Sequence, residues 1–92
     1  MAIKRYHIAV SGRVQGVGYR YFTCDVAQAV SLSGWVRNSV GRQVEIEVEG
    51  EQDVIEGFIE LLKQGPPLSR VTDVEVRSMV AAGEHGEFVI RG

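Results

Sequence analysis

The run Gly12-Arg13-Val14-Gln15-Gly16-Val17-Gly18-Tyr19-Arg20 puts three glycines and a terminal arginine between a strand-like segment and a helix-periodic one. Glycines at such a junction let the backbone curl until successive N–H groups converge, which makes a concavity that holds an anion. The helix opening at the end of the run adds its own unpaired N–H groups and the positive end of its dipole. Arg20 falls in or near the first helical turn, where a cation is disfavoured by roughly 0.3–1 kcal/mol. A local rule broken at that spot points to a function. An anion lying between the N–H groups and the guanidinium removes the conflict, so the segment reads as a phosphate pocket. A glycine-rich turn that merely joins a strand to a helix is the competing reading on composition alone. Such a turn has no use for Arg20.

The loop is not a common nucleotide motif. A P-loop ends in Lys followed by Ser or Thr, whereas Val17 follows Gly16 here, and the glycine spacing does not fit the dinucleotide fingerprint. Arg20 offers a planar fork of donors to two phosphate oxygens, with contacts of roughly 1.5–3 kcal/mol each. Lysine supplies the charge without the fork. Asn38 ends a strand just before a turn, a place asparagine favours for local reasons. Its functional reading is a neutral amide that donates and accepts, able to hold a water in line with phosphorus without titrating.

The remaining candidates are weaker. His7 and His85 have no partner at metal-ligand or triad spacing and read as surface or sheet-face residues, while Glu45, Glu47 and Glu49 read as a solvated strand face. Cys24 lies toward the start of the first helix, where a thiol pKa can fall. With no base beside it, the residue reads as packing or an incidental oxidation site. Arg13, Arg37 and Arg42 fall in or beside the pocket segments and make its mouth basic, drawing in an anionic substrate. No metal-ligand cluster and no nucleophile with an attached base is evident.

These residues need elements to position them. Residues 5–11 alternate, with Tyr6, Ile8 and Val10 on one side and His7 and Ala9 on the other, as in a half-buried strand. Apolar positions recur at helical spacing over 19–30, with Gly34 beyond as a stop. Strands over 35–38 and 44–49 flank the turn at 39–42 and form an antiparallel hairpin. A second helix over 51–64 starts acidic and stops at Gly65-Pro66-Pro67. Strands follow near 71–77 and 88–91. The order β-α-β-β-α-β plus a short extra strand, with right-handed crossovers, gives a ferredoxin-like α/β sandwich: an antiparallel sheet with two helices on one face.

At 92 residues the chain reads as one domain, 1–92, just large enough to bury a core without metal or disulfide staples. A net charge of −2 argues against a general nucleic-acid binder, which needs surplus Lys and Arg to displace counterions. No apolar run is long enough for a bilayer, and no signal peptide stands at the start. One cysteine allows no internal disulfide, and the cytoplasm is the expected address.

The run G-R-V-Q-G-V-G-Y-R at 12–20 resembles the signature of acylphosphatases, and G-W-V-R-N at 34–38 resembles their second motif. The weaker G-P-P-L-S-R-V at 65–71 and the element order fit as well, so the resemblance covers the whole chain. It implies hydrolysis of the carboxyl–phosphate bond of acyl phosphates to a carboxylate and inorganic phosphate. It implies that the backbone N–H groups of Arg13, Val14, Gln15, Gly16, Val17, Gly18 and Tyr19 cradle the phosphate, that Arg20 clamps it, and that the Asn38 amide orients the attacking water. It implies no metal, no other cofactor and no covalent phosphoenzyme, and it offers the Gly92 carboxylate as the group that holds Arg20. One departure stands out. The family usually has glycine four residues beyond the asparagine, whereas Gly41 lies three beyond Asn38 and Val40 takes a normally polar position.

The partners expected on this reading are small acyl phosphates, with no nucleic acid, no membrane and a monomeric chain. Acetyl phosphate, carbamoyl phosphate, a bisphosphoglycerate and a protein aspartyl-phosphate all present the same headgroup. The alternative is a non-catalytic phospholigand- or RNA-binding module on the same fold. RNA readers of this architecture carry exposed aromatics on central strands, where this chain has His7, Ala9 and glutamates. A third reading is a piece resembling the acylphosphatase-like domain of hydrogenase-maturation carbamoyltransferases. With Met at its start and its final strand at its end, the chain is expected to be free-standing.

Overall fold

Alternation of side chains between two environments sets the sheet. Ile8 and Val10 in one strand, and Val44, Ile46 and Val48 in another, are fully buried, while the residues between them point to the opposite face. The computed structural model describes residues 2–83 and 86–92 and runs β1 (Ile3–Arg13), α1 (Tyr19–Ala29), β2 (Ser33–Asn38), β3 (Val44–Glu51), α2 (Gln52–Gln64), β4 (Arg70–Met79) and β5 (Phe88–Ile90). β1 and β4 outrun their sequence estimates, whereas β5 stops one residue short of its own. β1 continues through a register shift at Ser11/Gly12 to Arg13, because that irregularity bends the strand end without breaking its pairing with β4.

The strands lie in the order β4-β1-β3-β2-β5. β1 pairs antiparallel with β3 and β4, and β2 pairs antiparallel with β3. The fully antiparallel sheet expected from the sequence is corrected at one edge. β5 lies parallel to β2, with Gly34 opposite Phe88 and Val36 opposite Ile90, so the sheet is mixed. The chain leaves β4 on one edge and re-enters on the other, already reversed into the direction of β2.

Both helices cover the face that carries Ile8, Val10, Val36 and Ile46. α1 lies over β2 and β5, and α2 over β3 and β4. Ala27, Ile55, Phe58, Leu62 and Phe88 close one hydrophobic cluster between the layers. This is the ferredoxin-like α+β arrangement.

The opposite face is not the solvated glutamate row that alternation suggested. Arg5, itself buried, donates to Glu47 at 2.6 Å and to Glu49 at 3.1 Å. Glu45 takes His7 Nε2 and Arg37 Nε, each at 2.6 Å. Glu49 is only 2% exposed and also accepts the Ala82 N–H at 2.8 Å. Period-two patterning tells which face is polar; it does not tell whether polar groups on that face find one another. His85 lies outside the described residues.

Candidate active site

Val14 is buried, Val17 packs against the core, and Tyr19 is fully buried, so the loop between β1 and α1 is pegged inward by its apolar side chains. The two glycines between these pegs, Gly16 and Gly18, adopt φ of 76° and 79°, a left-handed conformation that glycine enters without steric cost. At Gly12 the constraint is different. A side chain there would collide with the Arg70 carbonyl oxygen of the neighbouring strand.

Gly18 caps α1 with no side-chain cap bond, and the first turn holds no acidic residue. A helix start without capping side chains leaves N–H groups available to an anion. Tyr19 contributes only backbone here. Its hydroxyl donates to the Leu62 carbonyl at 2.6 Å, bolting α1 to the last turn of α2, and burial pushes its pKa well up.

Arg20 and Asn38 lie 18 positions apart in the sequence and meet at one acceptor. Arg20 Nη1 donates to the Gly92 main-chain oxygen, and the Asn38 N–H donates to the same oxygen at 3.3 Å. β5 delivers that oxygen by pairing beside β2, and the Arg91 N–H adds a bond to the Val36 carbonyl. The Asn38 Oδ1 atom is shut off from solvent and has no hydrogen-bond partner among the described residues. A buried acceptor left unpaired costs about 1–3 kcal/mol unless something supplies a proton to it.

Two side chains the sequence reading passed over hold this site together. Gln15 Nε2 donates to the carbonyls of Ser39 and Gln43, both at 3.0 Å, tying the glycine loop to the β2–β3 turn. Gln43 in turn donates to Ser11 Oγ at 2.8 Å. Gln15 lies in the glycine loop and Gln43 in the turn before β3, and no periodicity or spacing in the sequence links them. The turn itself closes through the Ser39 N–H to the Gln43 carbonyl at 2.8 Å, and Arg42 within it takes φ 65°.

Of the flanking arginines, Arg13 and Arg42 line a pocket beside the loop, whereas Arg37 is held by Glu45 over the Trp35 ring. Cys24 is drawn into the core, not activated. Burial raises its pKa, with Asp25 and Glu87 pushing the same way, and Gln28 Nε2 contacts its sulfur at 3.4 Å. The described residues contain no group of His, Cys, Asp and Glu arranged to hold a metal ion. Among the described residues, no helix is long and apolar enough to cross a membrane.

The family model described as Acylphosphatase matches residues 6–90. An acylphosphatase of Methylococcus capsulatus is 42% identical over 88 residues, covering 96% of each chain. The crystal structure of acylphosphatase from Bacillus subtilis superposes with a TM-score of 0.92 at 41% identity, covering 99% of this chain and 100% of that one. The full-length HypF structure, bound to phosphate and nucleotide, also matches at TM-score 0.89 and 40% identity, but over only 12% of its length. The glycine loop, the hairpin end and the sheet that joins them all lie within the matched span, and the chain belongs to the acylphosphatase family.

Proposed function

We propose that the chain hydrolyses small acyl phosphates with Arg20 and Asn38 as its catalytic residues and the backbone of residues 13–19 as the phosphoryl cradle. The observation that carries this reading is the buried, unpartnered Oδ1 of Asn38, a residue whose main-chain N–H shares the Gly92 oxygen with the Arg20 guanidinium. The cradle and the Arg20 guanidinium bind the phosphoryl oxygens and stabilise the charge that spreads over them in the transition state. Asn38 Oδ1 accepts a hydrogen bond from the attacking water and fixes its lone pair toward phosphorus. As the water oxygen bonds to phosphorus, the bond from phosphorus to the acyl oxygen breaks. The carboxylate departs with the electron pair, and the proton released by water passes to solvent. The leaving group is good enough that the reaction needs no strong general acid. No metal enters this scheme, and we take residues 1–92 to act as one monomeric, cytoplasmic domain.

Phosphate release from benzoyl phosphate in the presence of EDTA tests the scheme. Wild type is expected to turn over rapidly, and Arg20→Gln to lose about 10³–10⁵-fold in kcat, the range found for arginines that act on phosphoryl transition states. Asn38→Ala is expected to lose activity while keeping its circular dichroism. A folded wild type that binds phosphate without hydrolysing the substrate would leave only a binding module.

A further inference from the structure

Beside the glycine loop lies a pocket of about 310 Å³ lined by Gly12, Arg13, Val14, Gln15 and Arg42. The scheme above uses only backbone from this group. Both arginines are exposed, and neither forms an ion pair among the described residues. Glu45, the acid nearest along the hairpin, is already taken by His7 and Arg37. Arg42 holds φ 65°, a backbone conformation that suits glycine or asparagine and strains a long side chain. The two bonds from Gln15 to Ser39 and Gln43 fix that turn against the loop, so the arginine is held at the pocket.

We propose that Arg42, with the Arg13 side chain, forms a cationic subsite that selects acyl phosphates bearing a second negative charge on the acyl group. This rests on residues 13–19 being the phosphoryl cradle, since that reading puts the substrate at the mouth of the pocket. Guanidinium forks match a carboxylate or a phosphate in shape as well as charge, so the subsite accepts either as the second anion. A neutral acyl group leaves both forks solvated and gains nothing from them.

A rigid pair of substrates tests the subsite: benzoyl phosphate and 4-carboxybenzoyl phosphate, whose para carboxylate is too distant to attack its own anhydride. The readout is the ratio of kcat/KM for the second over the first. Wild type is expected to favour the carboxylated substrate by about tenfold, the equivalent of one charge-assisted contact. Arg42→Gly is expected to erase that preference and Arg42→Glu to reverse it. Glycine also relaxes the left-handed turn, so a melting temperature at or above wild type certifies the fold, and Arg42→Asn serves as a second neutral variant. One ratio shared by wild type and all three variants, with benzoyl phosphate still hydrolysed, overturns the subsite and leaves the cradle standing. A folded wild type that hydrolyses neither substrate overturns the hydrolytic reading and the subsite with it.

Discussion

Asn38 serves the site twice, through its N–H on the Gly92 oxygen and through an Oδ1 that nothing in the described chain satisfies. These two roles separate by mutation. Asn38→Ala keeps the main-chain bond and removes the unpaired carbonyl. An asparagine held for structure would lose stability on that change. Asn38 is expected instead to melt within a degree or two of wild type, or slightly above it, because an unpaired buried acceptor is itself a cost of about 1–3 kcal/mol. Turnover is expected to fall about 10²-fold, the scale of a misplaced reactant. Calorimetry and phosphate release on the same preparation decide it: a large drop in melting temperature would return Asn38 to a structural role. Tyr19 gives the opposite pattern. Tyr19→Phe strips the partner from the buried Leu62 carbonyl, at about 1–3 kcal/mol, and should lower the melting temperature by several degrees in a domain of this size.

Between elements, the tether from Gln15 to the β2–β3 turn is the joint that keeps cradle and Asn38 in one frame. Its two acceptors are carbonyls, so only a donor serves. Gln15→Ala loses two bonds of about 1 kcal/mol each and is expected to lower kcat/KM by about tenfold. Gln15→Glu, which when ionised can only accept, faces two carbonyl oxygens and should do worse. Steady-state kinetics in which glutamate matched or exceeded alanine would remove the tether from the site. This joint also marks where the sequence stopped being legible. The glycine loop, both helices and the hairpin were readable because glycine clustering and periodicity are local properties. The placement of β5 beside β2, and with it the shared Gly92 oxygen, depends on a crossing between opposite sheet edges that no local pattern encodes. Asn38 was legible only through the motif that contains it, since its strand-end position explains an asparagine equally well.

Over the whole molecule, a chain of net charge −2 separates its charges. The loop end of the sheet carries Arg13, Arg42 and Arg70, while the polar face gathers Glu45, Glu47 and Glu49 around Arg5, His7 and Arg37. That face also has a mechanical part. Glu49 accepts the Ala82 N–H from the segment after β4, which leads on to β5 and the Gly92 oxygen. The Ala82 N–H and then the Arg5 guanidinium hold the Glu49 carboxyl below the usual carboxylate range, against the opposing effect of burial. A carboxylate lowered in the folded state stabilises fully above its unfolded pKa and loses that contribution as pH falls through the folded value. Glu49→Gln, which removes one of the carboxylates that face buried Arg5, is expected to cost about 3 kcal/mol near neutrality, the lower end for breaking a buried pair. The difference between wild type and variant should hold steady above the ordinary glutamate value of about 4.3 and close at lower pH, as the wild-type carboxylate takes up its proton. Urea melts at a series of pH values measure it. A gap of constant width across that range would mean that the charge on Glu49 does not hold the segment, and that packing around its side chain does.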